Sequence, residues 1–272
     1  MGIGIKIAIE ATRYGGLDPA AAAWQNNIIA NGGTISAATL KIFNDNFFVP
    51  ARANGNILTE LDRLNVYAGL VGFEIAARTN MIKNAHYVTP VSSPSFNNNG
   101  YVTSGTSYLN LNYKLFSQGV KLQKNNNSFG VMVLSPAFSV DFLRMIGSRD
   151  AGGTSLSGLI RGNVTLLNAN ATTSYSTISA SAQSGWALIA SQRVNSSSFK
   201  SIINASETTL NVSSSASNLN DLDTFELTIN GGGSPDGQYD TRPHGASFHG
   251  SSNLDIQALR TLLLNTFGAL GV

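Results

Sequence analysis

Ser107-Tyr108-Leu109-Asn110-Leu111-Asn112-Tyr113 alternates apolar and polar side chains along its length. Successive strand side chains point to opposite faces, so Leu109, Leu111 and Tyr113 turn inward together. The same grammar recurs downstream. Residues 129–134 are a short, nearly continuous apolar run of the buried-strand kind, and residues 138–146, 156–160, 164–167, 186–190, 199–203, 208–212 and 225–229 extend the series. Turn clusters separate them: Asn97-Asn98-Asn99-Gly100, Lys124-Asn125-Asn126-Asn127, Ala151-Gly152-Gly153 and Gly231-Gly232-Gly233-Ser234-Pro235-Asp236-Gly237. Many short strands at this spacing, without an internal repeat, predict a mainly β jelly-roll sandwich.

The two ends read differently. Ile3, Ile5, Ile7 and Ile9 share one side of an alternating segment, expected either as an edge strand or as an arm that docks onto a neighbour by adding a strand. Asp18-Pro19 is an N-cap with proline in the first helical position, and Asn31-Gly32-Gly33 closes that helix. Ser36 opens a second helix through Leu40, Phe43 and Phe47, which Pro50 should end or bend. Leu58, Leu61 and Leu64 suggest one further helical turn. At the other end, Ile256, Leu259, Leu263, Phe267 and Leu270 form one apolar stripe, with Ser252 and Asp255 at capping-box spacing. The expected division is residues 1–16 as docking arm, 17–65 as helical lead-in and 66–272 as sandwich with a closing amphipathic helix.

Composition narrows the function classes. Of 272 residues only 12% are charged, about half the usual share, and polarity comes from Ser, Thr, Asn and 27 Gly. The net charge of +2, with no basic block interleaved with aromatics, argues against nucleic acid as a partner. The absence of cysteine excludes disulfides and thiolate metal sites. Asn163, Asn170, Asn195, Asn204 and Asn211 each begin an Asn-x-Ser/Thr triplet, but no secretory context accompanies them. The apolar stretch at the start is too short for a signal peptide, and no run approaches the ~20 residues that span a bilayer. A soluble chain without membrane insertion is expected.

Catalytic patterns are thin. His244 and His249 are five apart, which on a regular strand puts them on opposite faces, and His86 stands alone. A glycosidase needs two acids roughly 5 to 9 Å apart. Asp221 and Asp223 sit at a turn while Glu226 alternates away, so solvated carboxylates are expected there. Gly-x-Ser-x-Gly and a phosphate-binding Gly-x-x-x-x-Gly-Lys loop are absent. Asp236-Gly237-Gln238-Tyr239-Asp240 lacks the alternating donors and closing Glu of a calcium loop and reads as a hairpin turn. No catalytic residue, cofactor or metal is expected. Tyr101, Tyr108, Tyr175 and Tyr239 adjoin Asn- and Ser-rich loops, and tyrosine with asparagine suits stacking on a sugar and bonding its hydroxyls. Of these, Tyr101, Tyr108 and Tyr239 are the candidate glycan contacts, weighed against tyrosines that merely close the ends of a sandwich.

Four segments in order also carry a resemblance. Residues 23–36 (AWQNNIIANGGTIS) look like the helical lead-in of phage tail proteins, and residues 61–69 (LDRLNVYAG) resemble the connector that follows it. Residues 96–102 (FNNNGYV) are similar to the turn opening the laminin-G/concanavalin A-like sandwich of those proteins. Residues 245–250 (GASFHG) and the helix from Leu254 resemble their final strand and closing helix. The resemblance runs from Pro19 to Leu270. It implies a concanavalin-like jelly roll in a virion structural protein of the tail, a fibre or another surface appendage, with no catalytic residues to carry over. The implied partners are other virion proteins, copies of the chain itself and host surface polysaccharide, and the implied location is the particle assembled in the bacterial cytoplasm. Because the module stands almost alone here, a capsid decoration or neck position is an alternative, as is a host-glycan receptor module.

Overall fold

The computed structural model describes residues 16–55, 57–67, 72–135, 143–149, 156–161, 165–166, 176–177, 184–211, 213–214, 219 and 221–272. Its helices are α1 (Pro19–Ala30), α2 (Ala37–Phe43), α3 (Val49–Ala53), α4 (Glu74–Arg78) and α5 (Ile256–Leu270). Its strands are β1 (Leu61–Val66), β2 (Thr89–Val91), β3 (Ser95–Asn97), β4 (Gly100–Val102), β5 (Tyr108–Lys114), β6 (Asn127–Leu134), β7 (Leu143–Arg149) and β8 (Leu156–Arg161). There follow β9 (Thr165–Leu166), β10 (Ser176–Thr177), β11 (Trp186–Arg193), β12 (Phe199–Ile203), β13 (Ser206–Leu210), β14 (Asp223–Glu226), β15 (Asn230–Gly231) and β16 (His244–Gly250).

All the strands but β9 and β10, which pair with each other, form two layers. The first sheet runs β13-β12-β11-β6-β16-β4-β3, with β1 also on β16, and the second runs β15-β7-β14-β5-β2, with β8 on β7. Every pairing in the first sheet is antiparallel, whereas β15 lies parallel to β7 in the second. The expected mainly β sandwich is what the chain forms. Strand β5 shows why: Leu109, Leu111 and Tyr113 are buried and the residues between them are half-exposed.

Helix α5 packs against the first sheet, and α4 lies beside β1. Phe267 of α5 packs on Trp186 of β11 with ring centroids 4.7 Å apart, and Gln192 donates to the Leu254 carbonyl at 2.9 Å. Further out, Trp24 of α1 meets Phe43, Phe48 and Phe73 in an aromatic knot. Asp18 caps α1 as expected, accepting from Ala20 N–H at 2.8 Å, and Ser36 caps α2 through Thr39 N–H at 3.0 Å. Pro50 does not end the helical path. A π turn over Asn44–Phe48 widens the backbone just before it, and Pro50 falls in the first turn of α3, where its missing N–H costs little.

Two expectations at the elements' ends are corrected. Leu58 lies in a 3-10 turn (Ile57–Glu60), but Leu61 and Leu64 belong to β1, which is paired with the last strand. The sheet therefore begins inside residues 17–65. The cap of α5 is Asp255, which accepts from Ala258 N–H at 2.9 Å, so Ser252 does not fill that role.

Candidate functional site

The densest gathering of chemistry-bearing side chains lies between the sheets. Arg63 comes from β1, Tyr67 from just beyond it, His244, Ser247 and His249 from β16, and Glu226 from β14 of the opposite sheet. Asp240 joins them from the segment leading into β16. His244 Nδ1 is 2.9 Å from Glu226 Oε1, and its Nε2 is 3.4 Å from Asp240 Oδ2. The other Glu226 oxygen accepts from the Tyr67 hydroxyl at 2.7 Å. Arg63 Nη2 donates to Tyr67 Oη at 2.8 Å and Ser247 Oγ at 2.9 Å, and lies 4.0 Å from Glu226 Oε2. Arg63 Nη1 is 3.3 Å from His249 Nδ1.

Sequence spacing hid this cluster in two ways. His244 pairs with Val133 and Ala246 with Met132, so Gly245 is an extra residue bulged out of β16. The bulge reverses the strand's parity, and His244 and His249 face the same interlayer space instead of opposite sides. Gly245 also admits a neighbour: a Cβ there would lie 2.4 Å from the Trp186 ring. Glu226, expected to alternate away into solvent, is instead buried in the cluster, while Asp221 is exposed and accepts from Ser117 N–H at 3.0 Å.

Electrostatics follow from burial. Desolvation alone would lower the His244 pKa. Hydrogen bonds to Asp240 and Glu226, with their negative charges, outweigh it and raise the value to about 9. The ring is a cation at neutral pH. His249 goes the other way: burial, then the positive charge of Arg63, push it well below its ordinary value, so a neutral imidazole accepts from Arg63. Burial likewise drives the Tyr67 hydroxyl well above the usual phenol range. Two cations thus face two carboxylates across the layers. Arg63, Glu226, Asp240 and His244 are all 0% exposed, so no solute reaches the constellation. It acts as a strut between sheets.

The tyrosines separate into two groups. Tyr101 is fully buried in β4, its ring 5.5 Å from Tyr67 and 4.9 Å from Phe96, with its hydroxyl donating to Glu74. It presents no face to a sugar, which corrects the expected exposure. Tyr108 is half-exposed on the outer side of the second sheet, 4.5 Å from Phe225, in line with half-exposed Asn110, Asn112 and Lys114. Tyr239 is half-exposed and close enough to Tyr108 for its charge to raise that hydroxyl's pKa, after burial. Tyr175 and Ile3, Ile5, Ile7 and Ile9 lie outside the described residues.

Asp236, in the expected hairpin turn, is held by Arg144 at 2.7 Å and Arg149 at 2.5 Å. Among the described residues no group of three or more His, Asp or Glu side chains is arranged to hold a metal ion, and no helix is long and apolar enough to cross a membrane.

No family model matches the chain, and no curated protein does. Solved structures similar to it include domain 4 of AbnA, a GH43 extracellular arabinanase from Geobacillus stearothermophilus, in complex with arabinotriose. That match has 14% identity, 75% of this chain and 99% of that one, and a TM-score of 0.48. Trypanosoma rangeli sialidase in complex with 2,3-difluorosialic acid matches at 11% identity over 85% of this chain and 40% of that one, with a TM-score of 0.49. The receptor binding domain of botulinum neurotoxin D matches at 12% identity over 75% of this chain and 52% of that one, with a TM-score of 0.46.

Proposed function

We propose that this chain is a non-enzymatic structural component of a bacteriophage particle, presenting its sandwich outward from the tail, a fibre or another surface appendage. One observation carries the reading. The four segments that resemble phage tail proteins are most of α1 through the α2 cap at Ser36, β1, the β3–β4 hairpin, and β16 with α5; β1 and β4 both pair with β16. Segments scattered along the sequence therefore meet largely around one strand, as they should if the resemblance reflects one inherited fold. The sealed His–Glu–Asp cluster supports a role exerted through surfaces, to other virion proteins and to further copies of the chain. Mass spectrometry of purified, nuclease-treated particles from the source culture tests this. The chain is expected at a fixed copy number per particle; confinement to the particle-free fraction of the lysate overturns the reading.

The outer row of Tyr108, Asn110 and Asn112, with Tyr239 beside it, favours a second reading as a host-glycan receptor module. An aromatic face next to side-chain amides is the material that stacks on and bonds sugars. A glycan array of bacterial surface polysaccharides, probed with the chain and with Tyr108→Ala, separates the two. Binding lost in the variant supports the receptor role, and silence across the array removes it. Incubation with host capsule, with polymer length as readout, tests the proposed absence of glycosidase activity.

A further inference from the structure

The loop after β5 carries two apolar side chains in the open, Phe116 at 53% and Val120 at 66% exposure. Its shape is fixed from within. One oxygen of buried Asp62 accepts the N–H groups of Val120, Lys121 and Leu122 at 3.0, 2.8 and 2.8 Å, and the Tyr113 hydroxyl at 3.2 Å. Gln118 Oε1 accepts Lys114 N–H at 2.7 Å, and Asp221 holds Ser117 N–H. A loop tied at this many points has already met the ordering cost that a partner would otherwise impose.

Next to Phe116 is an open cavity of about 140 Å³, walled chiefly by Leu115, Gly119, Leu122 and Leu219. A dry cavity of roughly 150 Å³ accepts a molecule of benzene's size, so this one suits a single leucine or phenylalanine side chain. Gly119 lies where its backbone is closely flanked: a Cβ there would stand 2.5 Å from the Leu115 carbonyl oxygen and 2.6 Å from that of Leu122. The rim is basic. Lys114, Lys121 and Lys124 belong to this stretch, and the exposed acid beside it, Asp221, is engaged by Ser117 and sits near Lys114.

We propose that this socket receives one leucine- or phenylalanine-sized side chain of a partner polypeptide whose adjacent residues are acidic. The cavity favours a discrete side chain over a lipid surface, which asks for a protrusion, and the lysines supply the charge complement. The inference is independent of the virion reading, because it uses only the loop's geometry and charge.

Amide NMR of the full chain at low salt provides the test, with acetyl-Glu-Leu-Glu-amide as probe and acetyl-Glu-Ala-Glu-amide and acetyl-Lys-Leu-Lys-amide as controls. The expected result is saturable shifts at Phe116, Gly119 and Leu122, with about tenfold weaker response to either control. Phe116→Ser and Lys121→Glu, both at exposed positions, should abolish the shifts with Tm unchanged. Equal response to all three peptides, shifts elsewhere, or no response overturns the proposal. Binding to phosphatidylglycerol vesicles that is lost in Phe116→Ser, without a peptide response, overturns it in favour of a membrane.

Discussion

His244 Nδ1 lies 2.9 Å from Glu226 Oε1, although the two residues belong to different sheets. Both are inaccessible to water, so neither can exchange its partner for solvent if the other is removed. Replacing a buried ion pair by apolar groups is often neutral, but removing one member leaves a stranded charge at a cost of about 3–5 kcal/mol. Glu226→Ala should lose that much in a urea unfolding titration, and His244→Ala a similar amount. The double variant should lose less than the sum, because neither charge is then left without its main partner.

Stability should fall on both sides of neutrality. His244 has a raised pKa when folded, so its contribution is complete below about 6.5 and disappears as pH climbs through about 9. The loss is on the order of 3 kcal/mol. Tyr67 and Tyr113, held neutral by burial, add to the alkaline loss above pH 10, where the unfolded chain ionises first. His249 acts oppositely: its folded pKa is depressed, so the unfolded state gains protons and stability below pH 6.5. A Tm-versus-pH profile should therefore peak near neutral pH, and a profile still rising beyond pH 9 would contradict it.

Gly245→Ala is expected to cost about 1–3 kcal/mol, since the added methyl meets the Trp186 ring at 2.4 Å in a packed layer. Thermal melts of Gly245→Ala with and without Trp186→Leu check the cause. Relief of the loss in the double variant identifies the steric clash.

Asp62→Ala should release the loop after β5. Three backbone N–H groups would lose a charged acceptor, each such bond contributing about 1.5–3 kcal/mol where it is buried. Hydrogen exchange at residues 120–122 should quicken by at least tenfold, with little change in β11.

Tyrosine variants should divide by burial. Tyr101→Ala removes a fully buried ring and should cost about 3–5 kcal/mol, whereas half-exposed Tyr108→Ala should cost less than about 2 kcal/mol. Calorimetry of the two variants distinguishes them, and only Tyr108→Ala is then a clean probe of sugar binding.

What the sequence disclosed depended on regularity. Strand β5 alternates, and its inward residues were readable within one position of its bounds. The caps at Asp18 and Ser36 and the stripe of α5 were equally plain, because each rests on local chemistry. Failures came where a single residue broke the period. Leu61 and Leu64 mimic helical spacing because β1 carries an irregularity between Leu61 and Arg63 and is buried along its length. Gly245 inverted the parity of β16, which no pattern of two could reveal. Glu226 alternates away from Asp221 and Asp223 in the sequence, but the face it turns to is the buried one, and β14 is only four residues long before the chain bends at Leu227 with φ 68°. Tyr101 follows an Asn-Gly turn, yet β4 carries it straight into the core.

Strand β16 has a further consequence for how the molecule comes into being. It sits inside the first sheet, between β6 on one flank and β1 and β4 on the other, although it comes after all three in the sequence. During synthesis the strands on either side leave the ribosome long before the piece that joins them, so the layer cannot close until β16 has emerged as well. Contacts of such large sequence separation fold slowly and leave sheet edges open to stray pairing meanwhile. A chain stopped at Pro243 should show no cooperative melting transition, and a chaperone that shields exposed strands should raise the yield of the 272-residue chain.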